Sequence, residues 1–275
     1  MKYGFILPDG DACTAATFAY EAEQSGWDGF FVLDSVWGID PWVALAAAAM
    51  QTKHIRLGPV LTPVSRTRPW HLASETATLD NLSNGRVILP VGLGDIDELE
   101  PFGEITDRKI RAELLDEGLD ILTGLWRGQP LSYTGKHYKI DTRFSPPPPP
   151  VQQPRIPIWV VGAWPSKKSI QRALQYDGLL PQVLKPAGGI DRNAQKVDLD
   201  DLRTIRAFIA EHHTDPTSFD IVVEGESPGD DKQEAAELVA QWAEAGATWW
   251  LEAPWEADTQ TDVLKRIQQG PPNAL

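Results

Sequence analysis

Apolar and polar residues follow one another along the chain in blocks that predict short strands alternating with amphipathic helices. Each apolar run ends near Gly, Pro or an acid, and the longer segments between the runs carry apolar residues at helical spacing. The run Val87–Val91 is typical: the helix before it stops at Asn84-Gly85, and the run is apolar on both faces, as in a strand covered on both sides. The predicted strands are Tyr3–Leu7, Gly29–Asp34, Ile55–Leu61, Val87–Val91, Ile156–Gly162, Asp177–Pro181, Phe219–Glu224 and Thr248–Glu252.

A helix is predicted after every one of these strands. Asp40-Pro41 marks the start of the second helix clearly, because Asp is a good N-cap and Pro fits the first turn. Eight strand–helix units predict an α/β protein, a parallel (β/α)8 TIM barrel formed as a single domain by residues 1–275. A doubly wound sheet is the competing fold, but its usual Gly-rich turn after the first strand is replaced by Pro8-Asp9-Gly10. The predicted helices are Thr14–Ser25, Trp42–Gln51, Pro69–Asn84, Asp107–Trp126, Ser166–Tyr176, Asp198–His212, Asp231–Glu244 and Thr259–Gln269.

Three segments depart from the repeated unit. Asp95–Gly103 is predicted to be an acidic loop, and Tyr133–Ile140 alternates and turns, which indicates a short excursion between strands four and five. The five prolines Pro146–Pro150 predict a stiff extended connector. Because the strand–helix unit resumes afterwards, this connector is not expected to separate two domains.

The formal net charge of −14 argues against nucleic acid and anionic membranes as partners, since both attract Lys and Arg. The single cysteine, Cys13, permits no intrachain disulfide, which fits a reducing compartment. The most apolar run, Trp42–Met50, is too short to span a bilayer, which takes about 20 residues. A cytoplasmic protein without a nucleic-acid or membrane partner is therefore expected.

In a barrel, chemistry belongs to the loops after the strands. The clearest candidate follows strand five, where Gly162 and Ala163 lead to Ser166, Lys167 and Lys168 at a predicted helix start. Two lysines there oppose the helix dipole unless an anion is present, so a phosphate site is one interpretation. The alternative is that both lysines are simply solvated.

Tryptophans gather in or beside the same loops. Trp37, Trp70, Trp164 and Trp255 would suit the walls of a pocket for a flat, partly apolar ligand. Alternatively, they pack the loops against one another. His71, in the first turn of the third helix, lies on the same side, although the helix dipole disfavours its charged form.

Acids end several strands, namely Asp34, Asp95 and Glu252. Each could act as a base, a hydrogen-bond acceptor or a metal ligand. Each could equally be held by a buried arginine such as Arg56 or Arg86. The histidines form no His-x-His or His-x-x-x-His pair, so no metal site is predicted.

An ordered set of motifs resembles the luciferase-like flavin-dependent oxidoreductases. The resemblance runs from residue 3 to about residue 182 and resumes near Ala245–Thr248. The motifs are Gly26-Trp-Asp-Gly-Phe-Phe-Val-Leu-Asp34, Asp40-Pro-Trp-Val-Ala-Leu45, Thr52-Lys-His-Ile-Arg-Leu-Gly58, Arg68-Pro69, Ala77-Thr-Leu-Asp-Asn-Leu-Ser-Asn-Gly-Arg86, Val91-Gly-Leu-Gly94, Ile156-Pro-Ile-Trp159 and Asp177-Gly178.

The resemblance implies a (β/α)8 barrel that holds FMN or the 8-hydroxy-5-deazaflavin coenzyme F420 at its carboxyl face. It implies a homodimer, for which the apolar helix Trp42–Met50 is a candidate contact. It also implies that the ring lies near Thr62 and Gly92–Asp95 and the phosphate near Gly162–Ser169. The implied cofactor-binding residues are Asp34, Thr62, Gly92, Gly94, Gly162, Ala163, Trp164, Ser166, Lys167 and Lys168.

One departure matters for the chemistry. Many members of the family have Asp-His after strand two, whereas this chain has Asp34-Ser35. A hydroxyl cannot replace an imidazole as acid or base near neutral pH. Asp95, His71 and Trp37 therefore become the candidates for shaping or protonating the substrate.

The leading hypothesis is an oxidoreductase that exchanges hydride with a small organic substrate, with monooxygenation as a further possibility. The missing histidine motivates an alternative, a barrel that binds flavin without turnover. A weaker alternative is a metal-dependent barrel lyase or isomerase that uses Asp34, Asp95 and Glu252.

Overall fold

The computed structural model describes residues 1–143, 148–183, 197–215 and 218–272. Parallel strands in these ranges form a barrel, and helices cover its outside. The strands are β1 Lys2–Leu7, β2 Gly29–Leu33, β3 Arg56–Val60, β4 Thr62–Pro63, β5 Leu89–Gly92, β6 Ser132–Thr134, β7 Lys139–Asp141, β8 Ile158–Trp164, β9 Gly178–Val183, β10 Asp220–Gly225 and β11 Trp249–Glu252. The helices are α1 Ala12–Gln24, α2 Pro41–Gln51, α3 Pro69–Ser83, α4 Ile96–Leu99, α5 Arg108–Leu125, α6 Lys167–Ala173, α7 Leu199–His212, α8 Lys232–Ala245 and α9 Gln260–Gln268, with 3-10 turns at Val64–Arg66 and Glu100–Phe102.

The sheet has the order β3-β2-β1-β11-β10-β9-β8-β5-β4, and its pairs are parallel. The third strand extends beyond its predicted end at Leu61: β3 pairs with β2, and the following β4 pairs with β5. A parallel bridge between Leu57 and Val87 joins the two edges. The predicted (β/α)8 barrel is confirmed, with the third of its eight strands in two parts.

Aromatic rings fill the barrel interior near the amino-terminal ends of its strands. Trp159 and Trp249 lie 5.1 Å apart between ring centroids, and Phe31 packs against both. The indole nitrogen of Trp159 donates to Asp220 at the start of β10, over 3.2 Å. Trp159 and Trp249 stand near the starts of β8 and β11, so this aromatic cluster fills the barrel near its amino-terminal end.

The helices pack on the barrel through a continuous apolar layer that includes Leu45, Leu72 and Leu119. The Asp40 side chain caps α2 by accepting from the Val43 amide over 2.9 Å, as the sequence predicts. Asn84 ends α3 with φ of 56° and ψ of 50°, which confirms the predicted left-handed stop. No helix in the described ranges is long and apolar enough to cross a membrane.

The excursion between the fourth and fifth barrel strands is an antiparallel hairpin, β6–β7, outside the main sheet. The Glu117 carboxylate on α5 anchors it by accepting hydrogen bonds from the amides of Lys136, His137 and Tyr138. This segment therefore has the place that the sequence predicts. Of the predicted Pro146–Pro150 connector, residues 148–150 are described and residues 146–147 lie outside the described ranges.

The acidic segment Asp95–Gly103 is not the predicted loop, because it contains α4 and a 3-10 turn. Asp95 is the N-cap of α4, and its carboxylate accepts from the Asp97 amide over 3.0 Å. Acids in the first turn of a helix are favourable beside its positive dipole end. The local charge pattern therefore stabilises a single helical turn here.

Candidate functional site

The carboxyl ends of β2 and β4 meet in a buried polar group made of Asp34, Thr62 and Arg66. The Thr62 hydroxyl donates to Asp34 Oδ2 over 2.8 Å, and Arg66 Nη2 donates to Asp34 Oδ1. The Asp34 side chain is 1% exposed and that of Arg66 is 21% exposed. Among the described residues, the buried Arg66 Nη1 has no hydrogen-bond partner. This nitrogen is a donor that a bound acceptor would satisfy.

Burial raises the pKa of Asp34, while Arg66 and the Thr62 hydrogen bond oppose that rise. Burial also raises the pKa of Glu75 on α3, and Asp40 and Asp34 add to the effect while His71 opposes it. Acids therefore lie close enough to one another at this end of the barrel to raise one another's pKa. The site favours ligands that present hydrogen-bond donors or positive charge to Asp34 and Glu75, and acceptors to Arg66.

The loop after β5 is fixed from two sides. Arg111 on α5 is buried, and its Nη1 donates to the carbonyls of Leu93 and Gly94 over 2.9 and 3.0 Å. A Cβ at Gly94 would lie 2.9 Å from Pro63, and its φ of 78° also favours glycine. Asp95 follows directly and is exposed. The structure thus places Asp95 on a well-held loop beside the end of β4.

Gly92 and Gly162 are buried strand residues where a side chain would not fit. A Cβ at Gly92 would lie 2.8 Å from Leu61, and one at Gly162 would overlap Leu179. The space beside each α-carbon is thus filled by protein. Their proposed contact with a cofactor would have to use backbone atoms.

The segment after β8 carries the predicted phosphate residues. Ser166 is the N-cap residue of α6, but its side chain makes no capping hydrogen bond. The hydroxyl of Ser169 instead accepts from the Ala163 amide over 3.0 Å. Lys167 and Lys168 are exposed in the first turn. The serine and the lysines are thus close in the chain at one helix start, as predicted.

The four loop tryptophans do not form a single pocket wall. Trp37 is 86% exposed, while Trp70 and Trp255 are 40% and 43% exposed. Trp164 at the end of β8 packs against Phe208 of α7, with ring centroids 6.1 Å apart. Packing therefore accounts for Trp164, whereas Trp37 is open to a partner or ligand.

The candidate His71 and the substituted position Ser35 both lie near the group around Asp34. His71 is exposed on the first turn of α3, close enough to Glu75 to influence its pKa. The Ser35 hydroxyl makes a long 3.5 Å contact with Glu98 Oε1 on α4. The loops after β2 and β5 therefore meet over the barrel mouth.

Glu252, in contrast, belongs to a structural network. Its carboxylate accepts from the amide and hydroxyl of Ser227, the indole of Trp250 and Arg266 Nε. The predicted partners Arg56 and Arg86 are wrong for both buried acids, since Asp34 pairs with Arg66 and Glu252 with Arg266. Arg86 binds backbone carbonyls instead, such as that of Ala49 over 2.9 Å.

The metal-dependent alternative needs Asp34, Asp95 and Glu252 to converge. Each of them serves a different network, and in the described ranges no three His, Cys, Asp or Glu side chains are grouped to hold a metal. The structure thus does not bring the three acids together as that hypothesis requires.

A cavity of about 70 Å³ opens in the barrel mouth. Val60, Leu61, Leu180 and Leu251 are among its described lining residues, which also include the polar Gln182 and the acid Glu224. Small-molecule pockets usually measure about 300–1,000 Å³, so this cavity alone would not enclose a tricyclic ring.

A family model described as luciferase-like monooxygenase matches residues 8–270. The chain belongs to the luciferase-like monooxygenase family. An uncharacterized protein of Mycobacterium tuberculosis (strain ATCC 25618 / H37Rv) is 32% identical over 275 residues, with 90% of each chain covered. The F420-dependent glucose-6-phosphate dehydrogenase of Amycolatopsis mediterranei is 30% identical over 209 residues, which cover 66% of this chain and 61% of that protein.

Solved structures agree with this family fold. The coenzyme F420 dependent tetrahydromethanopterin reductase from Methanopyrus kandleri gives a TM-score of 0.79 at 17% identity, with 98% of both chains covered. An F420-dependent secondary alcohol dehydrogenase, solved with an F420-acetone adduct, gives 0.77 at 17% identity over the same coverage. At these identities the likeness supports the fold.

Sequence reasoning did not pair Arg66 with Asp34, and it missed Glu75 and Arg111 as residues of the site. A signal existed for Arg66, because it is a cation four residues after Thr62 in a post-strand loop. Glu75 is one turn after His71 and would share its helix face. Arg111 gives no comparable signal, since its role depends on how α5 packs against the loop after β5.

Proposed function

We propose that this protein is an oxidoreductase that uses coenzyme F420, with FMN as the other candidate cofactor, to transfer hydride to or from a small organic substrate. The observation that carries the proposal is the buried Asp34–Thr62–Arg66 group with an unsatisfied guanidinium nitrogen. It lies where the family barrel presents its chemistry, at the carboxyl ends of the strands. The relatives named as F420-dependent support F420 as the first choice.

The residues at the mouth fit a flat, polar-edged heterocycle. Arg66 Nη1 supplies a buried donor without a protein partner in the described ranges, and Leu61 with Leu251 supplies apolar surface. Asp34 and Thr62 hold the arginine in place. When bound, the cofactor would supply a ring carbon or nitrogen that accepts or donates hydride.

The chain's own residues would position the substrate, shield it from water and protonate it. Arg111 holds the carbonyls of Leu93 and Gly94, which keeps Asp95 at the edge of the mouth. Asp95 is our candidate for moving a proton at the substrate oxygen, with His71 as the second candidate. Trp37, almost fully exposed, would cover the substrate. The acids Asp34 and Glu75 favour a substrate without negative charge beside them.

Ser35 supports one other candidate function, a barrel that binds the cofactor without turnover. Its hydroxyl faces Glu98 rather than offering a titratable ring. Turnover of any substrate with bound cofactor would exclude this candidate.

The test is a titration of purified protein with F420 and, separately, with FMN, followed by cofactor fluorescence. We expect F420 to bind more tightly than FMN. Reduced and oxidised F420 should then be interconverted when a panel of small alcohols, ketones and aldehydes is added. If neither cofactor binds, the proposed function is wrong.

The phosphate position has its own test. We expect replacement of both Lys167 and Lys168 by glutamate to weaken cofactor binding about tenfold, because two charges near a phosphate are reversed. The matched control reverses Lys53 and Lys265, exposed lysines placed before β3 and in the last turn of α9. Equal affinities for the two double variants would place the phosphate elsewhere.

We also propose a homodimer formed through α2. This helix has a surface that is apolar where it is exposed, with Val43 62% and Met50 68% exposed. A helix that is apolar all round is normally buried. Val43→Glu with Met50→Glu should therefore give a monomer in analytical ultracentrifugation, whereas Gln51→Glu should not. A wild-type chain that sediments as a monomer would contradict this proposal.

The cytoplasmic location of the protein and the absence of a nucleic-acid partner stay predictions. A cytoplasmic protein without a nucleic-acid partner is supported by the net charge of −14 and the single cysteine.

A further inference from the structure

A second cavity lies on the flank of the barrel, between α3, the end of α5 and the β6–β7 hairpin. Its volume is about 410 Å³, within the range of about 300–1,000 Å³ that small-molecule pockets usually occupy. None of its described lining residues belongs to the barrel mouth. We call it the flank cavity.

The walls of the flank cavity are mainly apolar. Trp70 and Trp126 supply indole rings, and the small residues Ala73 and Ala77 of α3 leave the recess between them. The nitrogen of Trp126 already donates to Thr76 Oγ1 over 3.1 Å, so its ring offers apolar contact to a ligand. Such a surface suits an aliphatic or aromatic body.

The walls are held by contacts that need no ligand. Tyr138 of the hairpin meets Trp70 edge to face, with ring centroids 6.3 Å apart. Glu117 fixes the hairpin turn through the Tyr138 amide over 3.0 Å. On the far side, Asn81 Nδ2 donates to the carbonyl of Pro149 over 3.0 Å. A recess built from three anchored elements loses little entropy when it binds a ligand.

The polar residues that line the flank cavity make its electrostatic environment positive. Lys139 is the one ionisable side chain among the described lining residues, which include the hydroxyls of Ser74 and Thr142 but no carboxylate. This composition contrasts with the net charge of −14 for the chain. An apolar recess with Lys139 at its rim and no carboxylate among its described lining residues matches an apolar body that carries one anionic group.

We propose that the flank cavity is a binding site for a small hydrophobic carboxylate, with its body between Trp70 and Trp126 and its carboxylate beside Lys139. This site is separate from the proposed cofactor site, and the proposal does not depend on the reaction.

The test is calorimetric titration of the full chain with decanoate, decanol and decylamine. We expect decanoate to bind most tightly and decylamine most weakly. Ala77→Phe fills the recess and should abolish binding of decanoate. Lys139→Glu should weaken the binding of decanoate about fivefold or more and strengthen the binding of decylamine, because it reverses the charge at the rim.

Two controls locate the binding. Lys109→Glu makes the same charge change on an exposed lysine at the other end of α5 and should leave decanoate affinity unchanged. Arg66→Met alters the barrel mouth and should also leave it unchanged. Thermal melts verify that each variant is folded. Unaltered affinity in a folded Ala77→Phe variant would overturn the proposal, as would an equal loss in the Lys109→Glu or Arg66→Met variant.

Discussion

Replacing Glu252 with alanine should lower the free energy of unfolding by about 3–5 kcal/mol, because the change leaves a buried arginine without its counter-ion. Glu252 is 1% exposed in its side chain and Arg266 is 11% exposed. The carboxylate also accepts from the Ser227 amide over 2.8 Å and from the Trp250 indole over 2.9 Å. One substitution thus removes the acceptor for four donors that tie α9 to the ends of β10 and β11.

The measurement is chemical and thermal unfolding followed by circular dichroism. A loss of this size in a chain this long should lower the Tm by roughly 10 °C. Glu256→Ala is the matched control, since Glu256 is an exposed acid in the same loop and its loss should shift the Tm very little. A double change of Glu252 and Arg266 to methionine should recover part of the loss, because no charge is left buried. Equal unfolding curves for Glu252→Ala and Glu256→Ala would contradict this account of the network.

The barrel could be predicted from the sequence because every strand is a short apolar run bounded by residues that stop it. The division of the third strand could not be predicted. The predicted strand Ile55–Leu61 stops before Thr62-Pro63, yet these two residues form β4 and pair with β5, whereas β3 pairs with β2. Hydropathy reports which residues are buried, whereas a change of pairing partner depends on how the sheet closes.

The same limit applies to α4. Its acids suggest a solvated loop, and a single turn is below the length at which helical spacing becomes visible. The structure shows that Asp95 caps this turn and that Leu99 is buried beneath it. A cap without a long periodic segment behind it is easily taken for a loop.

Part of the site could also be predicted. Asp34 and Thr62 each follow an apolar run, which places them at the carboxyl end of the barrel, where the structure has them. The partner of Asp34 was not predicted, since Arg66 is 32 residues away and lies in a 3-10 turn. Arg56 could have been excluded, because it begins β3 and therefore lies at the opposite, amino-terminal end.

Arg66→Met should have the largest effect on cofactor binding. The variant removes the buried donor at the barrel mouth and leaves Asp34 with Thr62 as its remaining partner in this group. Truncating one member of a buried, hydrogen-bonded ion pair costs about 2–5 kcal/mol, so we expect F420 affinity to fall roughly 100-fold. Fluorescence titration of each variant with F420 measures this affinity. Arg68→Met is the matched control, because Arg68 is an exposed arginine two residues further along whose guanidinium lies over Trp70.

The pH dependence of stability in the Arg66→Met variant should separate an electrostatic role of Arg66 from a role in packing. Burial already raises the pKa of Asp34 and Arg66 opposes that rise, so the pKa should rise further without the guanidinium. A carboxyl whose pKa is higher in the folded than in the unfolded state takes up a proton on folding, and stability therefore falls as pH rises between the two values. Relative to the wild type, Arg66→Met should be more destabilised at about pH 8 than at about pH 5, and Asp34→Asn in the same background should remove that difference. A pH-independent loss in Arg66→Met would show that the arginine acts through packing, and an unchanged F420 affinity would show that the cofactor does not use this nitrogen.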